Sequence, residues 1–529
     1  MVIDPRTPVI VGVGQVTNRP DNGEAAARPE PVELMAQAVL AASEDCSGAR
    51  AGGAAGVGQG LLQRAQSLRI VNPRSWEYIN PGELVAELTG MEPRQLILTT
   101  GGGNNPQRLI NQTALAIGRG DLEVAVIAGA ECGYSVAAAR RDPNRPVLPW
   151  TGQGADTVKP EMFGSSRQAT TDSEAERGLD VPVNVFPLFE NALRAEAGRR
   201  LDEHRAWIAE LWERSSRVAS SNPYAWLREP KTAEQIATPD LANRMVAYPY
   251  TKLMVANVQV DQGAALILCS AGAAEAAGVP DDRWVFPLAG ADADDHWFLS
   301  HRADFRSSPA IRLTGRAALS LAGTDIDAVA RLDLYPCFPS AVEIAAAELG
   351  VAVDEPVRPF TTTGGLTFAG GPGSNYGTHA VASMAGALRA DPGSVGLVSG
   401  IGWCMTEHSF GVYGTRPGAD RAGAAGNLPD LTAVEEAGGY RWANPSAAVG
   451  ILPQCSPDAE AKGEITVETY SVVYERDGTP SRAIVACRTV DGRRAWATNT
   501  DPDQLAVLVT EEGCGRLGTL RDTGVVDLT

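Results

Sequence analysis

The sequence predicts a layered α/β fold that is internally duplicated, carries an insertion and ends in a small all-β domain. Strand patterns alternate with helix patterns between residues 9 and 128, and the alternation returns between about residues 260 and 400. A polar, proline-rich stretch from about 137 to 250 separates the two regions. From about residue 426 onward, β-rich runs separated by Asp-Gly turns replace the alternation.

The first half begins with a strand over Val9 to Val13, which a loop connects to the helical segment PVELMAQAVLAASED. A second strand, Gln95 to Thr99, precedes a helix over Gln107 to Arg119. The next apolar run, Val124 to Ala128, lacks polar alternation, as is typical of a strand buried on both faces of a parallel sheet. Strands and helices in this order predict a sheet covered by helices.

The insertion, about 137 to 250, contains a polar segment and a long helical pattern over Phe186 to Ala219. Alternation resumes at VDQGAALILCSAGAAEAAGV and continues from Asp333 through AVEIAAAELG to the buried strand SVGLVSG near Ser394. The strand and helix order of this second region is similar to that of the first. That similarity is the pattern expected of a duplicated fold.

These changes along the chain predict three domains. The first half covers residues 1–283 and contains the insertion, the second half covers 284–425, and a β domain covers 426–529. Within the β domain, two Asp-Gly pairs separate the strand-like runs and predict tight hairpins. The pairs are Asp477-Gly478 and Asp491-Gly492. We expect a small all-β barrel or sandwich there.

Composition and charge argue against several classes of function. The 529 residues carry a formal charge of −19, which repels nucleic-acid phosphates. No apolar stretch approaches the roughly 18 residues of a membrane-spanning helix, and the N-terminal apolar run is too short for a signal peptide. Widely spaced cysteines and five histidines form no zinc or disulfide pattern, so we expect no metal, reduced thiols and a cytoplasmic protein. The cysteines are Cys46, Cys132, Cys269, Cys337, Cys404, Cys455, Cys487 and Cys514.

Five segments keep the order and spacing of a known family. TTGGGNNPQRLINQTALAIGRGDLEVAVIAGAE resembles the thiolase unit in which a strand ends at the nucleophilic cysteine and a buried helix follows. Four further segments resemble the family's DGAAA unit, its NEAF helix, its GG-x5-GHP loop and its final cysteine-glycine turn. They are VDQGAALILCSAGAAEAAG, DLYPCFPSAVEIAAAELG, TTTGGLTFAGGPGSNYGTH and GLVSGIGWCMTEH. The chain therefore resembles the thiolase superfamily over residues 5 to 415.

Two details point to one branch of that superfamily. YPCF and TEHSFGVY are most similar to the sterol-carrier-protein-like thiolases, and the β domain resembles an OB-fold domain found in small partner proteins of that branch. The resemblance implies a layered αβαβα fold and an acetyl-CoA acetyltransferase homologue of lipid metabolism. It also implies a CoA or acyl-CoA ligand and no covalently bound cofactor.

The residues that the family uses for catalysis are replaced in this chain. Thiolase chemistry requires a nucleophilic thiolate, an activating histidine, a second cysteine as acid and base, and oxyanion donors. By resemblance, these groups match in turn Gly103, Gly371, Gly400 and Tyr335. Glycine cannot ionise, and the windows 96–110 and 360–374 contain neither cysteine nor histidine. The sequence therefore predicts a degenerate site without ordinary thiolase turnover.

The matched positions and their neighbours define a candidate pocket whose glycines leave room at its floor. Gly101 to Gly103 either hold an anion through backbone N–H groups or form a tight turn. Asn104 and Asn105 either donate hydrogen bonds or cap the following helix. The candidate residues are Gly101, Gly102, Gly103, Asn104, Asn105, Tyr335, Cys337, Gly370, Gly371, Ser399 and Gly400.

Tyr335 is the most informative replacement. Its phenol is a proton donor, a base if its pKa is lowered, or a buried tyrosine with a satisfied hydroxyl. Some thiolase-like proteins of the sterol-degrading branch are retro-aldolases that rely on tyrosines, so the resemblance implies a lyase alternative. Other titratable residues nearby form no convincing nucleophile–base pair. They are Cys337, His379, Cys404, Glu407 and His408.

Three functional hypotheses follow, and the sequence leaves open whether any reaction is catalysed. The first is binding of acyl-CoA, a related thioester or another lipid-like molecule without thiolase turnover. The second is a retro-aldolase-type lyase that uses Tyr335 on a β-hydroxyacyl-CoA. The third is a non-enzymatic scaffold that binds ligands or partners through the β domain.

The resemblance also bears on ligand contacts and assembly. Thiolases bind CoA mainly through the inserted domain, which in this chain carries several arginines and is followed by Lys252. Thiolases are commonly dimers or tetramers that associate through the N-terminal sheet. The sequence leaves both a monomer and a thiolase-type dimer open.

Overall fold

The computed structural model describes residues 3–20, 28–48, 56–144, 147–353, 358–418, 428–521 and 524–529, so the boundary expected at 425–426 lies outside the described residues. The strands are β1 (Pro8–Thr17), β2 (Ser67–Val71), β3 (Gln95–Thr99), β4 (Val124–Cys132), β5 (Glu161–Phe163), β6 (Met245–Tyr248), β7 (Tyr250–Thr251), β8 (Asp261–Ser270), β9 (Phe286–Asp294), β10 (Arg331–Asp333), β11 (Val395–Gly402), β12 (Glu407–Gly414), β13 (Ala433–Ala437), β14 (Tyr440–Asn444), β15 (Gly463–Tyr474), β16 (Pro480–Thr489), β17 (Arg494–Asn499), β18 (Leu517–Leu520) and β19 (Val526–Leu528). The helices are α1 (Pro31–Asp45), α2 (Val57–Gln63), α3 (Pro81–Thr89), α4 (Asn105–Arg119), α5 (Gly133–Arg141), α6 (Asp172–Glu176), α7 (Pro182–Glu196), α8 (Leu201–Ser221), α9 (Ala233–Ala237), α10 (Ala271–Ala277), α11 (Pro309–Leu321), α12 (Pro339–Leu349), α13 (Gly365–Phe368), α14 (Tyr376–Ala390), α15 (Ser446–Gly450) and α16 (Pro502–Thr510).

The first half forms a mixed sheet with the strand order β1-β8-β4-β2-β3-β5. β1 and β4 run antiparallel to β8, whereas β4, β2 and β3 run parallel to one another. Every residue of β4 is buried, as its uninterrupted apolar run predicts. β5 pairs with the outer edge of β3, with Leu98 opposite Met162, so the chain itself covers this edge of the sheet.

The second half repeats the arrangement of the first. Its sheet has the order β10-β11-β12-β9-β14-β13. β9 and β11 run antiparallel to β12, and β10 runs parallel to β11. The order β9-β12-β11-β10 therefore repeats β1-β8-β4-β2 with the same strand directions, which confirms the predicted duplication.

β13 and β14 fall within the residues that the sequence assigns to the β domain, but they extend the second sheet. β14 pairs in parallel with β9, and β13 pairs with β14. Tyr440 at the start of β14 is buried and donates to Asn111 of α4. The separate β domain therefore begins only after β14, because this hairpin packs on the central helix layer.

Two helices lie between the sheets and complete a five-layered αβαβα core. α4 contacts strands of both sheets, as does α14, and the two helices also contact each other. α1 covers the outer face of the first sheet, and α11 covers that of the second. α4 has Pro106 in its first turn and ends at Gly120, whose φ of +83° is the left-handed conformation that glycine favours at a helix C-terminus.

The insertion lies between β4 and β8 and is fixed to the second half by buried hydrogen bonds. Its long helical pattern forms two helices, α7 and α8, because the chain turns at Gly198, where φ is +63°. His204 Nε2 of α8 lies 2.6 Å from Glu190 Oε1 of α7. Tyr250 Oη donates to Glu190 Oε2 at 2.5 Å and lies 2.9 Å from Ser340 Oγ of α12.

The C-terminal strands form a β-rich domain with one longer helix. The strand order is β17-β16-β15-β18-β19, and a parallel bridge between Thr498 and Val525 closes the strands into a barrel. α16 connects β17 to β18. Both predicted hairpins are confirmed, because the two Asp-Gly pairs connect β15 to β16 and β16 to β17.

The β domain is docked tightly on the insertion and the second half. β15 pairs antiparallel with β6 of the insertion. Arg494 is buried and donates to both carboxylate oxygens of Glu468, at 2.7 and 2.8 Å. Arg488 donates to the same carboxylate at 2.6 Å. Glu468 therefore pairs with both of these barrel arginines.

The thiols and the helix lengths agree with the sequence analysis. All eight cysteines are free, and seven of them are buried, as expected for reduced core thiols. Among the described residues, no helix combines the length and the apolar character required to cross a bilayer.

Candidate functional site

Three of the four positions matched to thiolase catalytic groups meet between the two sheets. Gly103 precedes α4, Tyr335 follows β10, and Gly400 lies in β11. A Cβ atom at Gly103 would lie 1.8 Å from Tyr335 Oη and 2.6 Å from the carbonyl oxygen of Ile401. A Cβ atom at Gly400 would lie 2.9 Å from Cα of Asn104. Both positions require glycine because other groups approach their backbones so closely.

Tyr335 fills the room that the glycine at position 103 was expected to leave. It is 5% exposed, and its backbone has a φ of +38°, a conformation that costs a non-glycine residue on the order of 1–3 kcal/mol. Burial raises the pKa of its phenol well above the usual value. The hydroxyl therefore stays protonated and is suited to donate a proton, whereas the role of a base with a lowered pKa is wrong.

A buried hydrogen-bond network holds the aromatic neighbour of Tyr335. The ring of Tyr376 meets that of Tyr335 edge-on, with centroids 5.4 Å apart. Tyr376 Oη donates to Asp333 Oδ1 at 3.1 Å. The same carboxylate accepts from Thr361 Oγ1 at 3.0 Å and Thr362 N at 2.9 Å, while burial raises its pKa to about 6. Tyr376 is thus fixed by Asp333 at the end of β10, and its ring packs against that of Tyr335.

The glycine triplet and the two asparagines are largely occupied by contacts within the protein. The Gly102 N–H donates to Ser374 Oγ at 3.1 Å, so it is not free for an anion. Asn104 caps no backbone N–H of α4, and Asn105 Nδ2 donates to the carbonyl of Thr100 at 2.9 Å. The capping interpretation is therefore wrong. The buried Oδ1 atoms of both asparagines have no hydrogen-bond partner among the described residues.

Gly370 and Gly371 lie on the loop after α13, near different groups from those at Gly103. The Gly371 N–H donates to the carbonyl of Asn257 at 2.9 Å. A Cβ atom at Gly370 would lie 2.1 Å from Gln262 Oε1, which has no partner among the described residues. Gln262 and His379 line a cavity of about 10 Å³, about the size of one water molecule.

The remaining candidates form no nucleophile–base pair. Burial raises the pKa values of the Cys337 and Cys404 thiols to about 12, so neither is a thiolate at neutral pH. Burial lowers the pKa of His379 to about 3 and that of His408 to about 4, so both imidazoles are neutral. Ser399 Oγ donates to the carbonyl of Asp333 at 3.4 Å. This interior lacks the groups of a thiolase.

Glu407 is the one carboxyl at the Gly101–Gly103 turn with a pKa near neutrality. Burial, together with the negative charges of Asp294 and Asp292, raises its pKa to about 7, against the opposing charge of Arg108. Arg108 Nη1 lies 3.5 Å from Glu407 Oε1. Glu407 Oε2 would lie 3.4 Å from a Cβ atom at Gly102, so this carboxyl abuts the turn.

A large groove lies on the insertion rather than at Gly103. This main groove has a volume of about 1080 Å³ and an apolar wall that includes Trp226, Leu227, Leu253 and Val258. A neighbouring cleft of about 880 Å³ shares Trp226, Leu227 and Lys231 with it. Neither cavity is lined by Gly103 or Gly400. The size and the mixed lining suit a large, partly apolar ligand.

Cations are concentrated in the main groove although the whole chain is acidic. Glu234 and Asp240 are the carboxylates that line it. The cations are Arg141, Lys231, Arg244, Lys252 and Arg476. The groove also reaches Asn257, whose carbonyl accepts from the Gly371 N–H. Its inner end therefore borders the position matched to the thiolase histidine.

Sequence analysis named Lys252 but missed Trp226, Arg244 and Arg476. Trp226 lies in the irregular segment after α8, and Arg476 belongs to the β domain. The position of Arg476 directly before Asp477-Gly478 indicates a hairpin tip. Only the docking of the β domain on β6 shows that this tip borders the groove.

Sequence comparison identifies the C-terminal segment. Residues 448–525 match the family described as the thiolase-like protein type 1 additional C-terminal domain. The match begins after β14, in agreement with the structural boundary of the β domain. No curated protein sequence matches the chain.

Solved structures resemble the whole chain or its thiolase-like part. A monomeric SCP2-thiolase-like protein type 1 from Mycobacterium smegmatis is 31% identical, with a TM-score of 0.80 and coverage of 100% of both chains. The Ltp2-ChsH2(DUF35) aldolase is 20% identical, with a TM-score of 0.56 and coverage of 78% of this chain and 98% of that chain. The dimeric peroxisomal thiolase of Saccharomyces cerevisiae is 14% identical, with a TM-score of 0.52 and coverage of 77% and 97%. The last two share the fold.

Proposed function

Because this chain belongs to the family of SCP2-thiolase-like proteins type 1, we propose that it binds acyl-CoA or a related thioester without ordinary thiolase turnover. The main groove is the observation that carries this proposal. A CoA thioester combines an anionic nucleotide with a long, less polar arm, and the groove combines cations with an apolar wall. A cytoplasmic location stays a prediction from the sequence.

The filled interior supports the second part of the proposal. Thiolase turnover transfers an acyl group to a thiolate, and position 103 has no side chain. Tyr335 Oη takes the place that such a side chain would occupy, and Gly371 supplies no base. The nearby thiols of Cys337 and Cys404 are protonated and buried. Binding at the groove therefore does not lead to an acyl-enzyme in this proposal.

Titration calorimetry of the purified chain with CoA and with acyl-CoA tests the binding. We expect micromolar affinity for at least one of them, together with no transfer of an acetyl group between acetyl-CoA and CoA. Absence of binding below millimolar concentrations would overturn the binding proposal. Measurable acetyl transfer would overturn the statement about turnover.

A lyase acting on a β-hydroxyacyl-CoA is the second candidate function, because Tyr335 places a protonated hydroxyl at the position matched to the thiolase nucleophile. A retro-aldol cleavage needs such a donor or an oxyanion partner as charge develops on oxygen. The decisive experiment compares Tyr335→Phe with the wild type on a panel of β-hydroxyacyl-CoA thioesters. Equal rates, or no cleavage by the wild type, would remove this candidate.

For the β domain we infer an OB-fold-like topology. Its closed strand order, the parallel contact between β17 and the β19 end, and the position of α16 between β17 and β18 support this inference. Arg488 and Arg494 are engaged by Glu468 within the protein, which weakens a role in nucleic-acid binding. The tip that carries Arg476 instead contributes to the main groove.

A further inference from the structure

Three cations line the main groove where the β domain meets the insertion. β15 pairs with β6 in antiparallel register, with Val473 opposite Ala247. Arg476 lies in the hairpin turn just beyond β15, and Arg244 directly precedes β6. On the other side, Lys252 N donates to the carbonyl of Arg244 at 2.9 Å. Arg476, Arg244 and Lys252 all line the main groove, and we call these three residues the cation row.

The protein does not neutralise this cation row. Arg244 Nη1 donates to the carbonyl of Met245 at 2.8 Å, which leaves its charge unpaired. Within the described part of the chain, none of the three cations forms an ion pair with a carboxylate, whereas Arg488 and Arg494 of the same barrel both bind Glu468. Like charges that share one groove repel one another. An external anion that bridges them would remove this cost.

The carboxylates of the groove do not supply that anion. Asp240 Oδ1 accepts from the backbone N–H groups of Ala242 and Asn243, at 2.7 and 2.6 Å, and so closes its own turn. Glu234 lies in the first turn of α9. Neither forms an ion pair with a member of the cation row.

We propose that Arg244, Lys252 and Arg476 together bind the phosphate groups of the ligand's nucleotide portion, so that the β domain forms part of the binding site. This inference rests on the proposed function, since it names the part of a CoA thioester that this end of the groove holds. Guanidinium groups bind phosphate oxygens in a bidentate manner, and lysine adds a compact charge. Three cations suit a ligand with more than one phosphate.

The hairpin that presents Arg476 is fixed before any ligand binds. Gly478 N donates to the carbonyl of Glu475 at 3.1 Å, and Asp477 Oδ1 accepts from Thr479 N at 2.9 Å. The apolar wall with Trp226 lies in the same groove and remains available to the rest of the ligand. A preformed turn lowers the entropy that phosphate binding would otherwise lose.

The test compares Arg476→Ala and Arg476→Glu with the wild type by calorimetry, using CoA and S-acetyl-pantetheine, which lacks the nucleotide. Arg493→Ala is the matched control, because Arg493 lies in the same domain, pairs with Asp458 and Asp491, and does not line the groove. We expect CoA affinity to fall about fivefold for Arg476→Ala and further for Arg476→Glu. The control and the affinity for S-acetyl-pantetheine should stay unchanged.

The outcomes separate this inference from the proposed function. If the wild type binds CoA and Arg476→Glu binds it equally well, the phosphate site is wrong while thioester binding stands. If the wild type does not bind CoA, inorganic pyrophosphate becomes the deciding probe. Pyrophosphate binding that Arg476→Glu abolishes would support the phosphate site alone, and no binding of either probe would overturn both proposals.

Discussion

The interior around Gly103 and the main groove differ in almost every physical respect. In the interior, Tyr335 fills the space beside Gly103, neighbouring thiols are protonated and the closest backbone N–H is engaged. The groove is open, has an apolar wall and contains three cations that form no ion pair with a carboxylate of the described residues. A thiolase needs both regions, one for chemistry and one for its ligand. If the proposed function holds, this contrast predicts that ligand binding is separable from acyl transfer.

The largest expected effect comes from restoring a thiol in the interior. Gly103→Cys places a Cβ atom 1.8 Å from Tyr335 Oη and 2.6 Å from the Ile401 carbonyl. Overpacking of this kind costs about 3 kcal/mol or more in the free energy of unfolding, measured by urea denaturation. We expect no thiolase activity in this variant. Gly60→Cys is the control, because no atom lies within 4 Å of a Cβ there.

A double-mutant cycle identifies the cause of that loss. Tyr335→Ala removes the nearer of the two groups that the new side chain meets and leaves the Ile401 carbonyl in place, so Gly103→Cys should cost less in the Tyr335→Ala background. Simple addition of the two single effects would contradict the close packing of Tyr335 against Gly103. It would also weaken the distinction between a filled interior and an open groove.

Stability should fall with rising pH through Glu407, which abuts the glycine turn. The pKa of Glu407 is raised to about 7 in the folded protein, whereas an ordinary glutamate, as in the unfolded chain, has a pKa of 4.5. Its protonated form therefore stabilises the fold below about pH 4.5, and this contribution is lost as the pH rises through about 7. Between pH 5 and 8 the loss is about 2 kcal/mol.

Glu407→Gln isolates this contribution from those of other buried carboxyls. The amide stays neutral, so the variant should lose about 2 kcal/mol less than the wild type between pH 5 and 8 in parallel urea titrations. Ligand affinity at the groove should not change, because Glu407 does not line it. Identical pH profiles for the two proteins would show that Glu407 is ionised in the fold at neutral pH.

In the groove, the strongest single contribution should come from Trp226, which lines both the groove and the neighbouring cleft. Trp226→Ala removes a large apolar contact and should weaken acyl-CoA binding about tenfold, or roughly 1.4 kcal/mol. Calorimetry measures the change, and Trp226→Phe should retain most of the affinity. Unchanged binding by Trp226→Ala would place the ligand elsewhere.

The sequence predicts the fold far better than the site, because the fold follows from patterns of neighbouring residues whereas the site depends on contacts between distant segments. The strand at Gln95 to Thr99 and the duplicated order follow from local hydrophobic patterns. The contact between Gly103 and Tyr335 joins distant segments, and a glycine alone does not reveal whether its space is empty or filled. Likewise, no local pattern reveals that Arg476 lines the same groove as Arg244, because that groove exists only after the β domain docks on β6.

The smallest expected effect is a dependence of groove binding on salt. Lys252 and Arg476 are exposed, and the Debye length falls from about 10 Å at 0.1 M salt to about 3 Å at 1 M. Raising the salt from 0.1 to 0.5 M should therefore weaken CoA binding about threefold while leaving S-acetyl-pantetheine unaffected. Wild type and Arg476→Glu are compared by calorimetry at both concentrations. Equal salt dependence for CoA and S-acetyl-pantetheine would assign the affinity to the apolar wall. The cations would then not contribute to the difference between the groove and the interior.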